Sequence, residues 1–219
     1  MYLSNRFVSL TLLLLLAGCA TKAQTGAIVG ASGGAVVGGV IGKVAGSTAT
    51  GAIIGAVVGG AAGAIIGHEM DKQAKELDQN IEGATVERVG EGIKVTFASG
   101  LLFDFDSNVL RPEAQTNLRA LGASLQKYPG SDLLILGHTD QLGTTEYNQR
   151  LSERRANAAA TFLIANGVSG TRIGTRGLGE TEPVGSNETE QGRQANRRLE
   201  VSIFASKEAR AAAQKAVTP

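Results

Sequence analysis

Apolar positions along this 219-residue chain change character several times, and each change predicts a different kind of element. Phe7 to Leu16 is almost unbroken hydrocarbon, residues 25–67 alternate glycine with Ile, Val and Ala, and residues 68–91 turn polar and charged. From Ile93 onward the pattern is that of an ordinary folded domain. Ile93, Val95 and Phe97 alternate with Lys94 and Thr96, as in a half-buried strand. Phe103 to Ser107 reads as a loop. Pro112 opens a helix whose apolar face is Ala114, Leu118, Leu121 and Leu125, and Pro129-Gly130 stops it. Leu133 to Leu136 is short and continuously apolar, which predicts a central strand covered on both faces. Thr145 to Asn166 forms a second helix with Gly167 as its stop, Ile173 marks a third strand, and Leu199, Val201 and Ile203 alternate in a fourth. The expected class is α+β, with a mixed four-stranded sheet packed by helices over residues 92–205.

The glycines ahead of this domain have their own period. Gly26, Gly30, Gly34, Gly38, Gly42 and Gly46 are spaced by four, and after Ser47 to Thr50 the series resumes at Gly51, Gly55, Gly59, Gly63 and Gly67. Spacing by four puts them on one slowly rotating strip of a helix, so two helices joined by a polar turn are expected over residues 25–67. Eleven interior glycines would cost about 10 kcal/mol in a solvated helix, at about 1 each. Close helix approach offsets such a cost, as in small-xxx-small crossings within membranes. The arms would be roughly 31 and 25 Å long, near the thickness of a bilayer. A flexible spacer is the alternative, against which stand the Ile and Val pairs at 28–29, 36–37, 40–41, 53–54, 57–58 and 65–66. The segment resembles the glycine zippers of bacterial envelope proteins. Residues 68–91 are then expected to be a charged linker, with Met70, Leu77 and Ile81 on a common helical face, and residues 206–219 an alanine-rich tail.

Composition narrows the partners. A formal net charge of +1 provides no excess of positive charge for nucleic acid. One cysteine and two histidines, His68 and His138, are too few for a zinc site of the usual kind, and no cofactor is expected. That cysteine, Cys19, follows the apolar leader directly. Leu16-Ala17-Gly18-Cys19 resembles the bacterial lipobox, which implies removal of residues 1–18 and lipidation of Cys19 at the head of a short 19–24 segment. Acyl chains contribute about 0.8 kcal/mol per buried CH₂, so two or three would make a lasting anchor in membrane lipid. Ala20, in place of the aspartate that favours inner-membrane retention, implies the outer membrane.

Within the domain, Gly137-His138-Thr139-Asp140 ends the central strand, and Glu146-Tyr147-Asn148 followed by Leu151-Ser152-Glu153-Arg154-Arg155-Ala156 forms the next helix. Asn196-Arg197-Arg198-Leu199-Glu200 leads into the last strand. Together these motifs resemble the OmpA-like peptidoglycan-binding domain over about residues 93–205, with Leu199 where valine is common. Asn148, Ser152 and Arg155 fall at i, i+4 and i+7 on one helical face. That face follows the loop holding Asp140, so a carboxylate and a guanidinium can border one pocket and grip a zwitterion. The resemblance implies that Asp140 holds the ammonium and Arg155 the carboxylate of diaminopimelate in a peptidoglycan stem peptide, with Asp106 lining the pocket. Thr139, Asn148 and Ser152 complete the candidate set. A structural ion pair between Asp140 and Arg155 is the alternative.

The expected function is a noncatalytic outer-membrane lipoprotein that tethers the envelope to peptidoglycan from the periplasmic side. Two other readings compete. The zipper could drive homo-oligomeric envelope assembly with wall binding secondary, or Asp104, Asp106 and His138 could serve a cell-wall hydrolase.

Overall fold

The computed structural model describes residues 47–218, so the leader, Cys19 and the first glycine arm lie outside the described residues. In chain order the elements are α1 (Thr48–Ile54), α2 (Gly60–Asn80), β1 (Ala84–Val89), β2 (Gly92–Ala98), α3 (Ser99–Leu102), α4 (Pro112–Lys127), β3 (Ser131–Gly137), α5 (Thr145–Ala165), a 3₁₀ turn (Gly170–Arg172), β4 (Ile173–Gly177), α6 (Glu190–Asn196), β5 (Arg198–Ala205) and α7 (Lys207–Val217). The strands form one mixed sheet in the order β1-β2-β5-β3-β4, antiparallel throughout except for β3 and β4. A parallel pair needs a long crossover, and α5 provides it.

β5 is the middle strand, and all of it is buried. Its period of two sorts the sheet into two faces. Leu199, Val201 and Ile203, paired with Phe97, Val95 and Ile93 on one side and with Gly137, Ile135 and Leu133 on the other, face the main core with Leu118, Leu121, Leu125 and Leu163. Arg198, Glu200, Ser202 and Phe204 lie on the opposite face, where Leu134 and Leu136 join them. The expected class and helices α4 and α5 are present at their expected positions, and Gly167 takes the left-handed conformation (φ 91°) that ends α5.

The cover over the second face was not expected. α1, from the glycine repeat, lies on it: Ala49 packs with Leu136 and Leu178, and Ala52 and Ala56 pack with Phe204. Ser202 Oγ donates to the Ala49 carbonyl at 3.0 Å. Any side chain at residue 92 would collide with Ile53, so Gly92 is what lets the helix sit this close. The continuous second arm expected from Gly51 to Gly67 is therefore broken. Ser47 caps α1 by accepting from the Thr50 amide at 3.1 Å, and Gly59 and Gly60, at φ 73° and 61°, turn the chain into α2. Among the described residues no helix is long and apolar enough to cross a membrane.

The expected linker over 68–91 is also folded structure. Ala62, Ile66, Met70, Ala74, Leu77 and Ile81 recur at helical spacing and are buried in the main core. Gln73 is fully buried, donating to Ser124 Oγ at 3.2 Å and accepting from Ser131 Oγ at 2.9 Å, which ties α2 to α4 and β3. Residues 84–89 add β1, the strand missing from the four expected. As an edge strand it exposes alternate residues and so carries little hydrophobic signal. The tail folds too: α7 is capped by Ser206 Oγ, which accepts from the Ala209 amide at 3.1 Å, and its Ala213 is buried in the core shared with α2.

Leu77 is 1% exposed, so Leu77→Ala should destabilise the domain by about 2–5 kcal/mol, read by urea unfolding. A solvated linker would show no change.

Candidate functional site

β3 and α5 meet at a point where only glycine fits. A Cβ on Gly137 would collide with the Ser152 carbonyl, and one on Gly177 would collide with Glu153. Leu178 N–H donates to the Gly137 carbonyl at 2.9 Å, and past that point β3 runs into His138, Thr139 and Asp140 against the first turns of α5. Thr144 caps this helix by accepting from the Tyr147 amide at 3.2 Å.

The polar groups here divide into scaffold and free groups. Ser152 Oγ accepts from Gly179 N–H at 2.9 Å and donates to the Gln149 carbonyl at 2.8 Å, so it holds the 177–181 loop. Asn148 Nδ2 donates to the Asp140 carbonyl at 3.2 Å and to Glu180 Oε2 at 2.5 Å. Thr139 N–H donates to the Gly179 carbonyl at 2.8 Å, while its buried hydroxyl has no partner among the described residues. Ser152 and Asn148 thus share the expected face, but their side chains are engaged in holding loops.

Asp140 and Arg155 are each 6% exposed, so their charges need compensation from the protein. They do not pair with each other. Asp140 Oδ1 accepts from Leu142 N–H at 3.0 Å, and Oδ2 from Arg197 Nη1 at 2.5 Å. Arg197 also reaches Glu190 at 2.7 Å, and Glu190 is shared with Arg193. Arg155 Nε donates to the Ser107 carbonyl at 2.9 Å and its guanidinium lies 5.3 Å from the Phe103 ring centre. Among the described residues nothing accepts from its two terminal amino groups. Burial pulls the Arg155 pKa down; Asp106 opposes this, Arg154 and Arg197 add to it, and Asp140 opposes it. The group stays cationic, as arginine does. Asp106 is exposed, adopts the left-handed region (φ 53°) open to Asp, and accepts from the Tyr147 hydroxyl.

The arrangement is a buried carboxylate and a buried guanidinium with donors to spare, with Arg197 paired to the first and acting on the second. It suits a ligand carrying an ammonium and a carboxylate. Arg197 was missed as a site residue although it stands in the quoted Asn196-Arg197-Arg198 motif; sequence separation hid its return to Asp140. Tyr147 was passed over in the same way. A cleft of about 490 Å³ on the β4 side of α5, lined by Gln149, Glu153, Asn157, Thr175 and Arg176, contains none of the expected site residues.

The carboxylates of the hydrolase reading are engaged separately. Asp104 approaches Arg111 at 3.8 Å while Asp106 meets Tyr147. The His138 ring is buried on the second sheet face, with no hydrogen bond to either nitrogen among the described residues and Nε2 3.8 Å from Glu200 Oε2, while its backbone amide donates to the Arg198 carbonyl. Burial, with Arg198 adding, pushes the His138 pKa down to about 3.

Comparison with known proteins bears on the fold and the family. The OmpA family matches residues 102–197, and the YMGG-like Gly-zipper matches residues 1–71. The chain is 35% identical to Probable lipoprotein YiaD of Escherichia coli (strain K12) over 140 residues, covering 63% of this chain and 64% of that protein. It is 38% identical to Outer membrane protein A of Bordetella avium over 114 residues, 52% of this chain and 59% of the other. The chain thus spans less than two thirds of the length of these curated relatives. The solved cell wall anchor of the T6SS from Pseudomonas aeruginosa is 32% identical, with a TM-score of 0.51 over 64% of this chain and 96% of that one. Residues 102–197 are thus an OmpA-family domain, and a segment matched to the YMGG-like Gly-zipper lies ahead of it.

An unfolded histidine titrates near 6.5, so protons bind the unfolded chain before they bind buried His138. Stability that is full above about pH 6.5 is therefore lost as pH falls towards 3. Between pH 7 and 4 wild type should lose more stability than His138→Gln, by up to about 1.4 kcal/mol per pH unit, in urea unfolding. Parallel profiles for the two proteins would contradict the burial account.

Proposed function

We propose that this protein is a noncatalytic tether between the cell envelope and peptidoglycan. Asp140 receives the ammonium and Arg155 the carboxylate of a zwitterionic stem-peptide residue, diaminopimelate. The observation that carries the reading is the pair itself: two buried, opposite charges that do not pair with each other, with the terminal amino groups of Arg155 unbonded among the described residues. A structural ion pair would have joined them. Asp106 and Tyr147 border the same region, and Phe105, fully exposed beside Asp106, adds apolar surface for the aliphatic part of such a ligand. Thr139, Asn148 and Ser152 act by holding the loops. The outer-membrane and cell-wall names of the relatives support the envelope setting.

Lipidated Cys19 is the proposed anchor in the outer membrane, with the folded domain in the periplasm. The small residues of α1 are already used against the sheet, so homo-oligomerisation through the zipper would fall to the arm from Gly26 to Gly46.

Asp140→Ala and Arg155→Ala should each weaken sedimentation of the protein with diaminopimelate-containing sacculi. Removing one member of a desolvated charge contact costs roughly 2–5 kcal/mol, about 30-fold to several thousand-fold in affinity. Variants that unfold normally and bind like wild type would rule this pocket out. Mass spectrometry of the mature protein should find an acylated Cys19 as its first residue, and Cys19→Ser should retain residues 1–18. A mature chain carrying unmodified Cys19 would remove the anchor.

A further inference from the structure

Helix α1 and the site at Asp140 lie on different faces of the sheet, yet one loop serves both. On the α1 side, Thr48 N–H and its hydroxyl donate to the Glu182 carboxylate at 3.0 and 2.5 Å, and Leu178 packs under Ala49 beside Leu136. Arg198 Nη2 donates to the Glu182 carbonyl at 3.2 Å, closing that end of the loop against β5. On the other side, the Gly179 carbonyl receives Thr139 N–H and Gly179 N–H reaches Ser152 Oγ. Glu180 accepts from Asn148 Nδ2 at 2.5 Å and from Thr145 Oγ1 at 3.0 Å. Residues 178–182 therefore carry contacts to α1 at both ends and contacts to the site between them. Leu136, in β3 four residues before Asp140, is a second shared element.

Length and position set α1 apart from the core elements. It is seven residues long, is joined to α2 through Gly59 and Gly60, and precedes the residues matched to the OmpA family. Five of its residues are buried, but Ile53 is the one large side chain among them, and short elements that bury little apolar area open at lower free energy than the core.

We propose that docking of α1 on the sheet is coupled to ligand binding at Asp140 and Arg155, with Thr48 and Glu182 as positioning residues. This rests on the wall-binding reading above. With α1 in place, loop 178–182 holds Thr139, Asn148 and Ser152 where the site needs them. With α1 displaced, the loop loses its Glu182 fixture and its packing, and the site slackens. Linkage makes the effect reciprocal, so bound ligand must hold α1 down by the same factor. Because α1 is the first described element after the segment leading from Cys19, the coupling places the anchor side of the chain in communication with the wall-binding side.

The experiment uses the full chain with meso-diaminopimelate and sacculi as probes. Ala49→Glu with Ala52→Glu puts carboxylates on the buried face of α1 without touching the site. Affinity for both probes should fall at least about fivefold, with amide exchange fast over residues 48–56 and β5 still protected. Thr48→Val should weaken binding and Thr48→Ser should restore it. In wild type, saturating meso-diaminopimelate should slow exchange over residues 48–56 by the factor by which undocking weakens binding. Unchanged affinity in the double variant, or unchanged exchange over 48–56 in wild type on binding, overturns the coupling while Asp140→Ala still abolishes binding. Wild type that binds neither probe overturns the wall-binding reading and the coupling with it.

Discussion

The site depends on how closely α5 can approach the ends of β3 and β4. Gly137 and Gly177 have no side chain where Ser152 and Glu153 press in, and that contact fixes the distance between the strand carrying Asp140 and the helix carrying Arg155. Glycine in a strand sacrifices packing and conformational entropy, and close backbone approach is what it gains. From that seam Ser152 takes Gly179 N–H, the 177–181 loop folds over, and Thr139 is held by its backbone. The geometry of two charged side chains is thereby set by groups that carry no charge.

Electrostatics then keeps the two charges available. A buried charge without compensation is costly, and a buried pair closed on itself would leave nothing for a ligand. Asp140 is compensated from the Arg197 and Leu142 side, and Arg155 by a carbonyl, an aromatic face and the nearby charge of Asp106. Each is stabilised from behind, so both can engage a third molecule. The second face of the sheet shows the same economy in apolar form: β5 is buried on both faces because a short helix of mostly small residues, let in close by Gly92, covers Phe204 and Leu136.

Much of this was legible in the sequence, and the gaps have physical causes. α4, α5 and the core faces of β2, β3 and β5 were readable because alternation and helical spacing report burial directly. The positions of Asp140 just past β3 and of Arg155 on the inward face of α5 were readable from the strand end and the helix period. The part of α2 from residue 68 onward was misread as a linker because Glu69 to Asp78 is crowded with charge, although Met70, Leu77 and Ile81 already marked the face. β1 was missed because an edge strand is half solvated. α1 was misplaced because glycine at spacing four describes any close helix approach, and the sequence does not say whether the partner is another helix or a sheet. The Arg197 contact with Asp140 links residues 57 apart in sequence, a distance no local pattern spans.

The central claim is that Asp140 and Arg155 grip the two ends of one zwitterion. A crystal structure of the protein soaked with meso-diaminopimelate tests it most directly. The account predicts the ligand ammonium on the Asp140 carboxylate and its carboxylate on the terminal amino groups of Arg155, at about 2.7–3.2 Å each. Ligand bound elsewhere at full occupancy, with no ligand atom on Asp140 and no ligand carboxylate on Arg155, would contradict it.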